Sequence, residues 1–232
     1  MNLDDPATTA SRRQLIRRKA SLRSIYEEWY SLIRENLPAG KVLEAGSGPG
    51  FLDNVITSDV FPLPGLDLAL DARQLPFRTN SLSAIVLVDV LHHISRPREL
   101  LSESIRVLRS GGRIIMVEPW VSWWSRFIYG NFHHEPFKPG AESWEFPDGG
   151  PLSAANGALP WIIFERDRDV FAAEFPDLRI VAIRPMMPFR YLLSGGLSKP
   201  ALAPSWIFPL VRRIERFATS MAMFAFIVIE RH

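Results

Sequence analysis

Apolar residues fall into two patterns along the chain. Near the start, Leu15, Leu22, Ile25, Trp29 and Ile33 recur at helical spacing, which predicts one amphipathic helix from Ser11 to about Asn36, stopped by Pro38 and Gly40. The pattern then changes to short apolar runs closed by turn residues: Val42–Ala45, Val55–Thr57, Leu66–Leu70, Ala84–Val88 and Ile114–Val117. Runs this short, unbroken by polar alternation, suit strands covered on both faces, as in a parallel sheet. A helix with Leu101, Ile105 and Leu108 on one face separates the last two runs, opened by Ser95 and Pro97 and stopped by Gly111-Gly112. Leu178–Ile183 and Met223–Ile229 are two further strand candidates.

Two stretches break this rhythm. Residues 119–157 are rich in Trp, Pro, Gly and His without a clear period, which predicts a lid inserted over the sheet. Residues 185–220 form a second insertion, irregular around Ser194-Gly195-Gly196 and then helical from Ile207 to Ala218. The sum is an α/β fold built on a doubly wound, mostly parallel sheet, read as one domain over residues 1–232.

Composition narrows the function. With 47% hydrophobic and 22% charged residues the chain is that of a folded globular protein. The absence of cysteine excludes disulfides, thiolate metal sites and a cysteine nucleophile, and is compatible with a cytoplasmic, reducing compartment. A net charge of +2 gives no expectation of nucleic-acid binding. No signal peptide is expected, and the longest apolar run, Met221–Ile229, falls well short of the roughly 20 residues a membrane-spanning helix needs. Charge is nonetheless uneven. Arg12, Arg13, Arg17, Arg18 and Lys19 give the first helix a basic face that, with the apolar Ser194–Leu210 region, is a candidate for peripheral membrane contact.

The candidate chemistry begins at VLEAGSGPGFL, Val42–Leu52, where a strand runs into a turn containing Gly46, Gly48 and Gly50. Bare backbone there lets a nucleotide-like ligand approach closely. The G-x-G-x-G spacing differs from the G-x-G-x-x-G of nicotinamide enzymes, which argues against an oxidoreductase. Downstream the chain reads DARQLPFRTNSLSAIVLVDVLHHISRPRELLSESIRVLRSGGRIIMVEP, Asp71–Pro119. Together with the glycine turn, this series of segments resembles the class I S-adenosylmethionine-dependent methyltransferases, particularly those that act on small molecules.

The resemblance implies a seven-stranded, Rossmann-like methyltransferase fold and S-adenosyl-L-methionine as cofactor. It also implies roles. Gly46, Ser47, Gly48 and Gly50 would line the methionine and ribose portion, and Glu44 would hold the loop and the cofactor's ammonium. Asp59, with Asp67 as its rival, would accept the ribose hydroxyls; Asp71 and Ala72 would meet the adenine, and Asp89 would touch cofactor and acceptor together. One departure stands out: eight residues separate Gly50 from Asp59 and eleven separate Asp59 from Asp71, too few for the usual crossover helices.

His133, His134 and Glu135 lie in the lid and are candidates for a general base acting on a small O- or N-nucleophile. The adjacent pair His92-His93 is expected to be structural, its two rings pointing apart, and no metal is expected. Trp120, Trp123, Trp124, Tyr129 and Trp144 are candidate walls for an apolar or aromatic acceptor. A methyltransferase-like binding protein without turnover is the alternative reading.

Overall fold

The computed structural model describes residues 4–47, 50–132, 135–150 and 152–232. Seven strands form one sheet: β1 (Val42–Ala45), β2 (Ile56–Asp59), β3 (Leu68–Ala69), β4 (Leu82–Val88), β5 (Leu108–Pro119), β6 (Leu178–Met186) and β7 (Phe224–Arg231). Their order is β3-β2-β1-β4-β5-β7-β6, with β7 antiparallel to both of its neighbours and the other pairs parallel. The order reverses beside β1, which leaves a crevice at the carboxyl ends of β1 and β4.

The unbroken apolar runs follow from two buried faces. Leu43, Ile85, Leu87, Ile114 and Met116 enter one core layer, and Val42, Ala84, Val86, Val88, Ile115 and Val117 enter the other. The first layer is covered by α3 (Pro97–Val107), by α5 (Leu159–Trp161) running into a π-helical turn (Ile162–Arg166), and by α6 (Arg168–Glu174). The second is covered by α2 (Ala20–Asn36), whose Leu22, Ile25, Trp29, Tyr30 and Ile33 are fully buried.

The single N-terminal helix expected from Ser11 is in fact two, α1 (Pro6–Arg18) and α2, parted at Lys19, whose backbone is extended. The apolar stripe proper begins at Leu22, since Leu15 is only half-buried. The Lys19 ammonium donates to the carbonyls of Gly196 and Lys199 at 2.7 and 2.6 Å, fixing the break against the second insertion.

Among the described residues no helix lies between β1 and β2 or between β2 and β3, as the short spacing requires. The N-terminal helix stands in for the missing cover: Tyr30 packs edge-on against Phe51, and Arg34 donates to the Phe51 carbonyl at 3.1 Å.

Other boundaries moved. The helix expected to include Leu108 stops at Val107, because Leu108 pairs with Leu82 as the first residue of β5. The lid is not irregular throughout: α4 (Trp123–Phe132) lies within it. Its start is marked by Ser122 and Ser125, each side chain accepting the other's backbone N–H at 2.9 and 2.7 Å, a serine variant of the capping box. The second insertion holds α7 (Arg190–Leu193) and α8 (Phe208–Glu215), the latter shorter than expected. No helix of the described chain is long and apolar enough to cross a membrane.

Candidate active site

At the carboxyl end of β1 the chain turns through Gly46, whose φ of +67° is a left-handed conformation that favours glycine. A Cβ there would lie 2.4 Å from a methyl carbon of Val90, so the turn packs against the segment after β4 without room for a side chain. Ser47 fastens the turn. Its hydroxyl donates to the Glu44 carbonyl at 2.8 Å and accepts from the Ser58 N–H at 2.9 Å.

Glu44 is buried, and burial pushes its carboxyl above the ordinary value. Tyr30 donates to Oε1 at 2.5 Å, whereas Oε2 has no hydrogen-bond partner among the described residues. Such an orphaned acceptor is costly unless something charged or polar meets it, and a primary ammonium has the chemistry it lacks.

Two cavities flank this turn. The smaller, about 220 Å³, is walled by Asp59, Val60, Leu70, Asp71, Ala72 and the backbone of Ala45-Gly46. The larger, about 560 Å³, is mostly apolar and is walled by Tyr26 of α2, Trp124, Ile128, Tyr129 and Phe132 of α4, Phe137, Tyr191 and Phe224. They share Gly46, Asp59, Asp89, Val90, His93 and Leu152, so the two volumes meet just past β1 and β4.

The expected site residues distribute unevenly over these walls. Asp59, at the end of β2, faces both cavities; its Oδ1 accepts the Phe61 N–H at 3.1 Å and burial raises its pKa. Asp67 faces neither. It is exposed, and its carboxylate accepts from the Thr57 N–H and hydroxyl, both at 2.8 Å, which holds it below the ordinary carboxylate range. Gly50 also has a left-handed φ of +69° but lies outside both linings, beneath the Arg17 guanidinium. Glu44 likewise sits behind the walls. Gly48, His133 and His134 lie outside the described residues.

Asp71 and Ala72 face the smaller cavity as expected, but the Asp71 carboxylate is already gripped. Arg73 donates to it through Nε at 3.1 and 3.0 Å and Nη2 at 2.7 Å, and its backbone N–H adds a bond at 2.9 Å. Burial would raise the Asp71 pKa, yet these bonds and the guanidinium charge outweigh it and hold the group low. Arg73 was overlooked in the sequence, although the Asp-Ala-Arg spacing that puts it on Asp71 is plain there.

Asp89 stands where the cavities meet. Its φ of +56° turns the chain sharply after β4, and Tyr26 donates to its Oδ2 at 3.2 Å. Burial, opposed by the His92 charge and reinforced by Glu118 and Glu135, pushes it up to about 7.

Beneath it Glu118, the last acid of β5 and fully buried, accepts the N–H groups of Val90 and Leu91 through Oε1 at 2.9 and 2.7 Å, while Oε2 lies 2.7 Å from His92 Nδ1. His92 Nε2 lies 3.7 Å from Glu135 on the other side. Burial opposes a charged ring here, but the two carboxylates prevail and push His92 up to about 10, an imidazolium at neutral pH. Burial and the His92 charge push His93 down to about 3, so it is neutral and a very weak base.

The two histidine rings converge where they were expected to diverge, with centroids 4.2 Å apart, because Leu91–His93 forms a 3-10 turn. One donor atom from each of His92, His93 and Glu135 lies within 4.8 Å of the others. Of the aromatic residues singled out in the lid, Trp124 and Tyr129 line the larger cavity; Trp120 and Trp144 are buried in the core and Trp123 is exposed. Arg12 and Arg13 line the larger cavity too, so part of the basic helix face turns inward.

This sheet order, with its antiparallel seventh strand and its crevice beside β1, is the fold of the class I S-adenosylmethionine-dependent methyltransferases. Residues 61–116 match the sequence model of a methyltransferase domain family. Over 48 residues the chain is 40% identical to the ubiquinone/menaquinone biosynthesis C-methyltransferase of Roseobacter denitrificans, covering 21% of this chain and 19% of that protein. Over 56 residues it is 36% identical to the demethylmenaquinone methyltransferase of Renibacterium salmoninarum, covering 24% of each. The matches thus span about a quarter or less of those relatives' length. The fold is similar to that of geranyl diphosphate C-methyltransferase from Streptomyces coelicolor A3(2), crystallised with Mg2+, geranyl diphosphate and S-adenosyl-L-homocysteine. The TM-score is 0.54 at 14% identity, covering 99% of this chain and 86% of that one.

Proposed function

We propose that the protein transfers a methyl group from S-adenosylmethionine to a hydroxylated aromatic acceptor with an apolar body. The observation that carries this is the junction of a small cavity bearing Asp59 and Asp71 with a large, mostly apolar one at Gly46, Asp59, Asp89 and Val90. The residues present fit the cofactor. Asp59 and Asp71-Ala72 would take the adenosine, and the buried Glu44 carboxylate behind the Gly46 turn would complement the charge of the ammonium. When bound, the cofactor supplies the methyl as an electrophilic carbon on a sulfonium sulfur that leaves with the bonding pair.

The chain's own residues then orient and exclude water. The aromatic walls hold the acceptor in a dry volume, where alignment of nucleophile and methyl supplies most of the acceleration. Asp89, with a pKa of about 7 at the junction, is a better-matched base than neutral His93. Removing a phenolic proton raises electron density on the oxygen and on the adjacent ring carbons, so one base serves O- or C-methylation. The C-methyltransferase relatives support the carbon outcome, although an O- or N-nucleophile is what the sequence alone suggests.

The test is turnover on a panel of alkylated phenols and quinols, read as release of S-adenosylhomocysteine with the methyl located by NMR. Leu197→Trp, which intrudes on the larger cavity alone, should lower kcat/KM for the acceptor by about ten-fold or more while leaving cofactor affinity unchanged. Absence of cofactor binding, or cofactor binding with no turnover on any acceptor of this class, overturns the reading.

The raised Asp89 pKa gives a second expectation. A carboxylate must be ionised to face a sulfonium, so below pH 7 binding has to strip a proton first. Affinity for S-adenosylmethionine should therefore rise about ten-fold from pH 6 to pH 8, and less for S-adenosylhomocysteine, which lacks the sulfonium charge. His92 stays protonated across that range and contributes no slope. Calorimetry at both pH values checks this, and Asp89→Asn should flatten the profile.

A further inference from the structure

A stripe of exposed apolar side chains lies outside both cavities. On α8 and the turns before and after it, Trp206, Leu210, Ile214 and Phe217 are exposed, Phe217 by 92% and Trp206 by 79%. Their spacing of three to four residues puts them on one face, an arrangement that would normally be buried. The opposite face is locked down. Glu215 accepts the backbone N–H groups of Phe189 and Arg190 at 3.0 and 2.8 Å and pairs with the buried Arg190 guanidinium, which also binds Glu28 of α2. The stripe therefore cannot roll inward without breaking a buried ion network.

The larger cavity has exposed apolar residues of its own. Phe132 and Leu202 line that cavity and are also exposed, by 62% and 73%. Phe132 touches Phe127, itself exposed on α4, and the Lys199 ammonium lies 6.0 Å from the Phe132 ring.

Charge selects the occupant. Between Leu178 and Ile229 the sole acid is Glu215, already consumed by Arg190, whereas Arg213 and Arg216 are exposed beside the apolar stripe and Arg212, also exposed, reaches Glu28 at 3.5 Å. The segment Pro119–Phe132 carries no acid at all. A second copy docked face to face would set these arginines against one another. An anionic bilayer satisfies both the aromatic stripe and the cations.

We infer that α8 and α4 form a docking face for anionic phospholipid, with the mouth of the larger cavity opening onto the bilayer. Of the two surfaces expected for peripheral membrane contact, this keeps the Ser194–Leu210 region, extends it along α8, and sets aside Arg12 and Arg13 of the basic N-terminal helix, which face the cavity. Uptake of an acceptor dissolved in the lipid rests on the reading of that cavity as the acceptor site; the docking itself does not.

The full chain should float with phosphatidylcholine vesicles containing about a third phosphatidylglycerol and not with phosphatidylcholine alone. W206S/L210S/F217S should lose binding to background, and R213E/R216E should lose about ten-fold or more, each arginine near an anionic surface contributing about five-fold. Unchanged thermal melting would show that both variants are folded, and S-adenosylhomocysteine calorimetry reads the cofactor site separately. Vesicle binding that survives the triple serine variant overturns the inference. So does a wild-type protein that ignores anionic vesicles, including one that instead forms a dimer which the triple variant dissociates.

Discussion

Asp59→Ala is expected to weaken binding of S-adenosylmethionine and S-adenosylhomocysteine alike by about 10- to 100-fold, whereas Asp67→Ala leaves both unchanged. The range follows from the roughly 1.5–3 kcal/mol that a hydrogen bond to a charged acceptor contributes. The two acids are only eight positions apart in a loop-rich stretch, yet their surroundings differ completely. Asp59 is buried at the wall between the cavities with one described bond to its own turn, so it has an oxygen to offer. Asp67 spends its carboxylate on Thr57 at an exposed edge. Both ligands carry the same ribose, so the loss should be equal for the two, in contrast to the sulfonium-specific pH effect of Asp89. Calorimetry on the four protein–ligand pairs decides it. A loss confined to Asp67→Ala would move the nucleoside to the outer edge of β3 and dissolve the assignment of the smaller cavity.

How far the sequence went is visible in these same residues. Glycine spacing, the DARQLPF segment and the apolar runs located all seven strands, because buried strands and left-handed turns leave few alternatives for residue type; only β5 starts well outside its expected bounds, six residues early at Leu108. The Asp59–Asp67 choice was not legible, since both acids lie at or beside the ends of short strands in a loop-rich stretch and only the fold shows which one faces inward. Arg73 and Glu118 were missed for the opposite reason. Each is in plain view in the sequence, but its partner, Asp71 or His92, is found only by asking which charge needs satisfying.

The N-terminal helix misled in another way. A continuous helical period hid the break at Lys19, which is set by carbonyls of Gly196 and Lys199 far along the chain. The basic face then read as a surface, although Arg12 and Arg13 complete a cavity. The trimmed crossovers explain why this helix is needed. With no helix among the described residues between β1 and β2, α2 supplies Tyr30 to Glu44 and Tyr26 to Asp89, so the N-terminal segment both covers the sheet and sets the electrostatics of the crevice.

Glu118→Ala should be the most damaging single change on the crevice side, destabilising the fold by about 3–5 kcal/mol, the usual result of removing one partner from a buried ion pair. Three donors lose their acceptor at once: the Val90 and Leu91 N–H groups and the His92 ring. For a chain of this size that corresponds to a fall in Tm of roughly 10 °C or more. The size of the effect should depend on pH, and its sign can be worked out. His92 is held near 10 in the folded protein against an ordinary value of 6.5, so the ion pair stabilises fully below pH 6.5 and its contribution fades as pH rises towards 10. The gap in Tm between wild type and Glu118→Ala should accordingly narrow between those limits without closing, because the two backbone N–H groups remain orphaned at every pH. Glu118→Gln keeps an acceptor for the backbone but presents no charge to the imidazolium, so it should lose the pH-dependent part alone. Thermal melts of the three proteins across that range separate the two contributions, and a pH-independent gap for Glu118→Gln would mean that His92 is neutral in the folded state.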